Sequence, residues 1–176
     1  MYTGLFASSR PSITPCYLAV SGSGINSGTG GGVTPRINGV RNCNGEVVTL
    51  FIGANDLAFA TTTQDWLNTV FAYTQSLRAQ GYKVALGTVL PRIFSGDPTR
   101  TALHNSRRAV ANAAIRNAVG VQIDAVFDFA ANSTIGDDAD ANDTSLYPDG
   151  LHPSGTAHSI MVGIYGPVVD QLLATP

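Results

Sequence analysis

The chain has 176 residues, of which 44% are hydrophobic and only 12% charged, and its formal net charge is -2. This length and composition fit one domain, spanning 1–176, with a sizeable core, and exclude an extended disordered chain. The slightly negative balance opposes a nucleic-acid partner, whose phosphates call for a basic face, and no apolar run reaches the length of a membrane span.

Residues 1–7 contain a short apolar stretch with no basic region ahead of it, so they do not read as a signal peptide, and location stays open. Residues 16–20 are the first strand-like run, beginning at Cys16. With Cys43, this cysteine could form a disulfide, but the two are too few for a cysteine-built zinc site. The glycine-rich stretch 21–46 is the least regular, although Thr34-Pro35 could open a short helix in it. A second apolar run, 47–52, leads into Gly53-Ala54-Asn55-Asp56, where Asp56 reads as a cap or turn residue.

Thr63 then looks like an N-cap, with Leu67, Val70, Phe71 and Leu77 at helical spacing, Trp66 expected in the core and Gly81 as the stop. After a third strand-like run, 83–90, Asp97-Pro98 opens a helix whose expected buried stripe is Leu103, Val110 and Ala114. On it His104 reads as structural or partly exposed, as does His158 on the last helix. The fourth run is 121–127. Asp137, Asp138, Asp140 and Asp143 follow in a loop that does not match a calcium motif and is expected to be solvated. A final helix from Ser154 carries Ile160, Met161, Ile164, Val168 and Leu172, and Pro167 should kink or split it.

Alternating strands and helices, with near-continuous apolar strands, predict an α/β fold: a three-layer sandwich with a parallel sheet flanked by helices. In such sheets ligands bind beyond the C-terminal strand ends. Asp149-Gly150-Leu151-His152-Pro153 is the most informative phrase there. A neutral imidazole accepts a proton near pH 7, and a carboxylate three residues away can hold its tautomer and stabilise the cation. Gly22-Ser23-Gly24 with Gly28 has the look of a dinucleotide phosphate loop. No helix start follows it, and nucleotide binding is not expected.

Tyr17-Leu18-Ala19-Val20-Ser21-Gly22, Gly53-Ala54-Asn55-Asp56 and Asp149-Gly150-Leu151-His152-Pro153, in this order, resemble motifs of the SGNH (GDSL-type) hydrolase family. The resemblance implies hydrolysis of a small-molecule ester, either a carboxylic ester or an acetylated carbohydrate, with no cofactor and no metal. It implies His152 as general base, Asp149 as its orienting partner, and the Asn55 amide and Gly22 N–H as oxyanion donors.

The family's Gly-Asp-Ser motif, which carries the nucleophile, has no match, since Gly96-Asp97 runs into Pro98 and Gly136-Asp137 into Asp138. Ser8, Ser9 and Ser12 lie too close to the strand expected from Cys16, because a parallel crossover needs roughly a dozen residues. Ser21 and Ser23 could substitute, although serines beside a glycine turn commonly bond the local backbone. The expectation is therefore an N-terminally truncated domain with its first strand missing or replaced. The slot would be filled by rearranged residues 1–9, a partner subunit or a swapped segment, which predicts a homodimer or swapped oligomer. The alternative function is a catalytically impaired remnant that binds ligand or assembles.

Overall fold

In the computed structural model, residues 8, 10, 12–25, 32–33, 37–59 and 62–175 are described. Their ordered elements are α1 (Ile37–Asn42), β1 (Val47–Leu50), α2 (Asp56–Phe59), α3 (Thr63–Arg78), β2 (Lys83–Gly87), α4 (Pro98–Asn117), β3 (Ala125–Phe127) and α5 (Gly155–Ala174). Short 3-10 turns at Phe129–Ala131 and Asp138–Asn142 lie between β3 and α5.

The three strands form one parallel sheet in the order β1-β2-β3, with Val48 opposite Val84 and Leu86 opposite Val126. Along β2 successive side chains face opposite ways, as a strand's two-residue period requires. Val84 and Leu86 join a core with Leu67, Val70 and Leu77 of α3 and Ile115 of α4. Ala85 joins the core on the other face, with Phe127 and with Met161, Tyr165 and Val169 of α5. Helices thus cover both faces, and the predicted parallel three-layer α/β sandwich is the architecture observed.

Two helix starts follow their local chemistry. Asp97 caps α4 by accepting from Arg100 N at 2.8 Å, with Pro98 in the first turn. The cap of α3 is Thr62, one residue before the Thr63 expected, and its hydroxyl accepts from Asp65 N at 3.2 Å. Trp66 is buried in the core.

Several expectations need correction. Residues 16–20 are not a strand: they run without a ladder partner among the described residues, and Tyr17 and Val20 are exposed. Apolar side chains favour strands, but a strand also needs a neighbour to take its backbone groups. A disulfide between Cys16 and Cys43, with Cα atoms 5.8 Å apart, and close packing of Leu18 over Gly39 hold the segment instead.

The fourth run shortens to Ala125–Phe127, because Gly120 to Gln122 are a turn that leaves Val121 62% exposed. In α4 two of the three residues of the expected stripe face outward, whereas Ala114 is half-buried against the core. Leu103 and Val110 are exposed, while His104, Arg108, Ala111, Asn112 and Ile115 face inward. Two of these inward polar residues, Asn112 and Arg108, meet backbone donors or acceptors. Asn112 Oδ1 accepts from Val89 N at 2.7 Å and its Nδ2 donates to Val89 O at 2.9 Å. Arg108 donates to Gly136 O at 2.8 Å and pairs with Asp138, which is exposed as expected of the acidic loop. Pro167 does not split α5, which runs continuously from Gly155 to Ala174.

Candidate active site

The site lies beyond the C-terminal ends of β1 and β2. After Leu50 the chain leaves the ladder, and Gly53 turns it with φ +121. A Cβ on Gly53 would stand 2.7 Å from Val89 Cγ2 and 2.8 Å from Trp66 Cζ2, so only glycine lets the turn pack this closely. The turn presents Asn55 directly before α2. Its Nδ2 donates to Ser23 O at 3.2 Å, and its Oδ1 accepts from Arg92 at 3.4 Å.

Asp56 is more than a cap. It is buried and accepts from Ile25 N at 2.8 Å, tying the segment after Gly22 to the start of α2. Burial pushes its pKa up, and the bond from Ile25 opposes the rise. Gly22 sits in a turn closed by Ser23 N donating to Val20 O at 3.3 Å, with φ +77.

The second half comes from the loop ahead of α5. Asp149 accepts through one oxygen from Leu151 N at 3.0 Å and from His152 N at 2.7 Å. Its other oxygen lies 2.6 Å from His152 Nδ1. These bonds hold the Asp149 carboxyl down to about pKa 2, the imidazole contact first among the causes. Gly150 makes the tight turn with φ +71, and its carbonyl accepts from Ile93 N at 2.8 Å. The loop is anchored at its root by Tyr147, whose buried hydroxyl donates to Ile135 O at 2.6 Å.

His152 and Asn55 line one cleft of about 140 Å³, whose walls include Phe51, Ile52, Leu90 and Leu151. Asp149 reaches the cleft through His152. Gly22 lies next to the Ser23 carbonyl that Asn55 bonds but is not in the lining, nor are Ser21 and Ser23. No hydroxyl side chain lines the cleft among the described residues. Ser9 lies outside the described residues; Ser8 is exposed on a helical residue and Ser12 is exposed in a turn. Among the described residues no group of three His, Cys, Asp or Glu is placed to hold a metal, and no helix is long and apolar enough to cross a membrane.

A model of the GDSL-like lipase/acylhydrolase family matches residues 4–160. The chain belongs to that family. No curated protein matches it. Among solved structures, the psychrotrophic esterase EstA from Pseudoalteromonas sp., inhibited by monoethylphosphonate, has a similar fold. Its TM-score is 0.58 at 15% identity, covering 99% of this chain and 86% of that one.

Within this GDSL-like hydrolase, the arrangement brings an imidazole bonded to a carboxylate and a polar amide to one mostly apolar cleft. The structure brings together His152, Asp149 and Asn55, which the sequence singles out. Sequence reasoning missed Arg92, which donates to Asn55 Oδ1 and to Ala54 O at 3.2 Å. The only signal for it was a cation just past a strand-like run, and that is too common to be informative. His104, read from the sequence as structural or partly exposed, is fully buried, and burial pushes its pKa down to about 4.

Proposed function

We propose that this protein hydrolyses carboxylic esters by acyl transfer to a serine. His152 takes the serine proton as the hydroxyl oxygen attacks the ester carbonyl, and Asp149 stabilises the imidazolium that forms. The Asn55 amide and the Gly22 N–H donate to the oxyanion of the tetrahedral intermediate. His152 returns its proton to the departing alcohol. It then deprotonates the water that releases the acid, and the serine regains its hydrogen. The observation that carries this reading is that His152, with its ring nitrogen 2.6 Å from Asp149, shares a cleft with Asn55. The mostly apolar walls suit the acyl part of a carboxylic ester better than a hydroxyl-rich sugar.

One observation favours a second reading, a domain that binds ester or acyl ligands without turning them over. Among the described residues the lining holds no hydroxyl. Labelling with a fluorophosphonate, followed by mapping of the modified residue, separates the two. Labelling of one serine, lost in His152→Ala together with release of p-nitrophenol from a short-chain ester, is the expected result. Binding of the ester without labelling or turnover would establish the second reading.

The assembly reading also stands as a proposal. Among the described residues β1 has no strand on its outer side, an edge that a second copy or an exchanged segment could cover. Sedimentation showing a stable monomer at micromolar concentration would remove it.

A further inference from the structure

We infer that Arg92 is a positioning residue that fixes which end of the Asn55 amide faces the reacting ester. The inference rests on the hydrolase reading above and deepens it. The two ends of a carboxamide are nearly the same size, so shape alone does not decide which end points where. Only an acceptor for the NH2 or a donor for the oxygen can decide it.

Arg92 supplies that donor. A guanidinium donates and cannot accept, so the atom of Asn55 that meets it must be Oδ1. Arg92 Nη1 lies 3.4 Å from that oxygen and 3.2 Å from the carbonyl of Ala54, the preceding residue. The amide is fixed from its other end as well, because one N–H of Nδ2 reaches Ser23 O at 3.2 Å. A primary amide carries two such hydrogens, and the second is the one left for the cleft that Asn55 lines. With the opposite orientation, a carbonyl oxygen would face the developing oxyanion and repel it.

Arg92 is itself held in place. Its guanidinium carbon lies 4.2 Å above the Phe94 ring, a cation–π contact that restrains the long side chain. The next residue, Ile93, donates its backbone N–H to Gly150 O at 2.8 Å, inside the loop that carries Asp149 and His152. Two consecutive residues after β2 therefore hold both halves of the site, Arg92 through its side chain and Ile93 through its backbone.

The test uses Arg92→Met, Arg92→Lys, Asn55→Ala and the Arg92→Met/Asn55→Ala double variant. Two readouts are p-nitrophenyl butyrate hydrolysis and the ¹⁵N–¹H spectrum of side-chain amides. Arg92→Met should lower kcat about 10- to 100-fold with KM nearly unchanged, as expected when a group acts on transition-state charge. Added to Asn55→Ala, it should cost less than about 3-fold more, because it acts through the amide already removed. Arg92→Lys, which keeps charge and chain length but not the planar fork, should fall between. The Asn55 amide signals should shift or double in Arg92→Met. Losses that multiply in the double variant, or Asn55 signals that stay in place, would overturn the inference. A wild-type protein without turnover, whose Asn55 signals still respond to Arg92→Met, would sink the hydrolase reading and leave the positioning role standing.

Discussion

The loop bearing Asp149 and His152 and the segment bearing Gly22 are held in opposite ways. The first is closed chiefly by bonds within four residues that converge on one carboxylate, with one distant bond from Ile93 N to Gly150 O, and its root is buried through Tyr147. The second is held from a distance, by Cys43, by Asp56 and by the Asn55 amide, and its own residues make no strand. A self-closing motif keeps its geometry when its surroundings loosen. A segment held by remote partners loses its geometry when any one of them is cut.

The largest effect expected is at the self-closing loop. His152→Ala should reduce ester turnover by about 10²–10⁴-fold, the range for loss of a positioned base. The folded state should scarcely change, since the ring is exposed. A fall in thermal stability comparable to that of a core variant would show that the loop is not autonomous.

The remote attachment is tested by Cys16→Ser. Losing a bridge that closes a 27-residue separation typically costs about 2–4 kcal/mol. Amide exchange should rise selectively over residues 12–25 and leave 149–152 unchanged. Equal protection in the variant and the parent would mean that Asp56 and Leu18 suffice to hold the segment.

His104 sharpens the contrast from the core side. Its folded pKa of about 4 lies below the ordinary 6.5 because burial disfavours the cation. The unfolded chain therefore binds a proton between those values when the folded chain does not. Stability should fall as pH drops from about 6.5 to 4, by up to about 3 kcal/mol, and level off below. Denaturant unfolding at several pH values checks this, and His104→Leu should flatten the slope. A slope unchanged in that variant would assign the effect elsewhere.

The smallest effect concerns Asp149. Its carboxyl is held near 2, below the unfolded value, so its contribution is complete above about pH 4 and is lost as pH falls through 2. Following its carboxyl carbon by NMR should give a midpoint near 2. A midpoint near 3.8 would mean that the contact with His152 is not kept in solution.

What could be read in the sequence divides along the same line. Asp149-Gly150-Leu151-His152 and Asp97-Pro98 carry their partners within a few residues, so their chemistry is visible without the fold. The three observed strands were legible because a parallel sheet buried on both faces leaves near-continuous apolar runs. Residues 16–20 look similar, but pairing is not a local property, and among the described residues no ladder forms there. The inner face of α4 was illegible for a related reason. Arg108 and Asn112 face the interior because backbone groups distant in sequence meet them, and His104 is buried beside them, while Leu103 and Val110 lie outside. Periodicity in apolar side chains could not anticipate that. Arg92 escaped notice because its worth depends on an amide 37 positions earlier.

Asn112 has a wider consequence. Its carboxamide bonds both the N–H and the C=O of Val89, as a residue of an adjoining strand would. A helix side chain thereby imitates a strand neighbour two residues past the end of β2, and the chain there can diverge without leaving its polar groups dry. Val89 also lines the cleft, so this one mimic steadies a wall of the site where strand pairing has already ended.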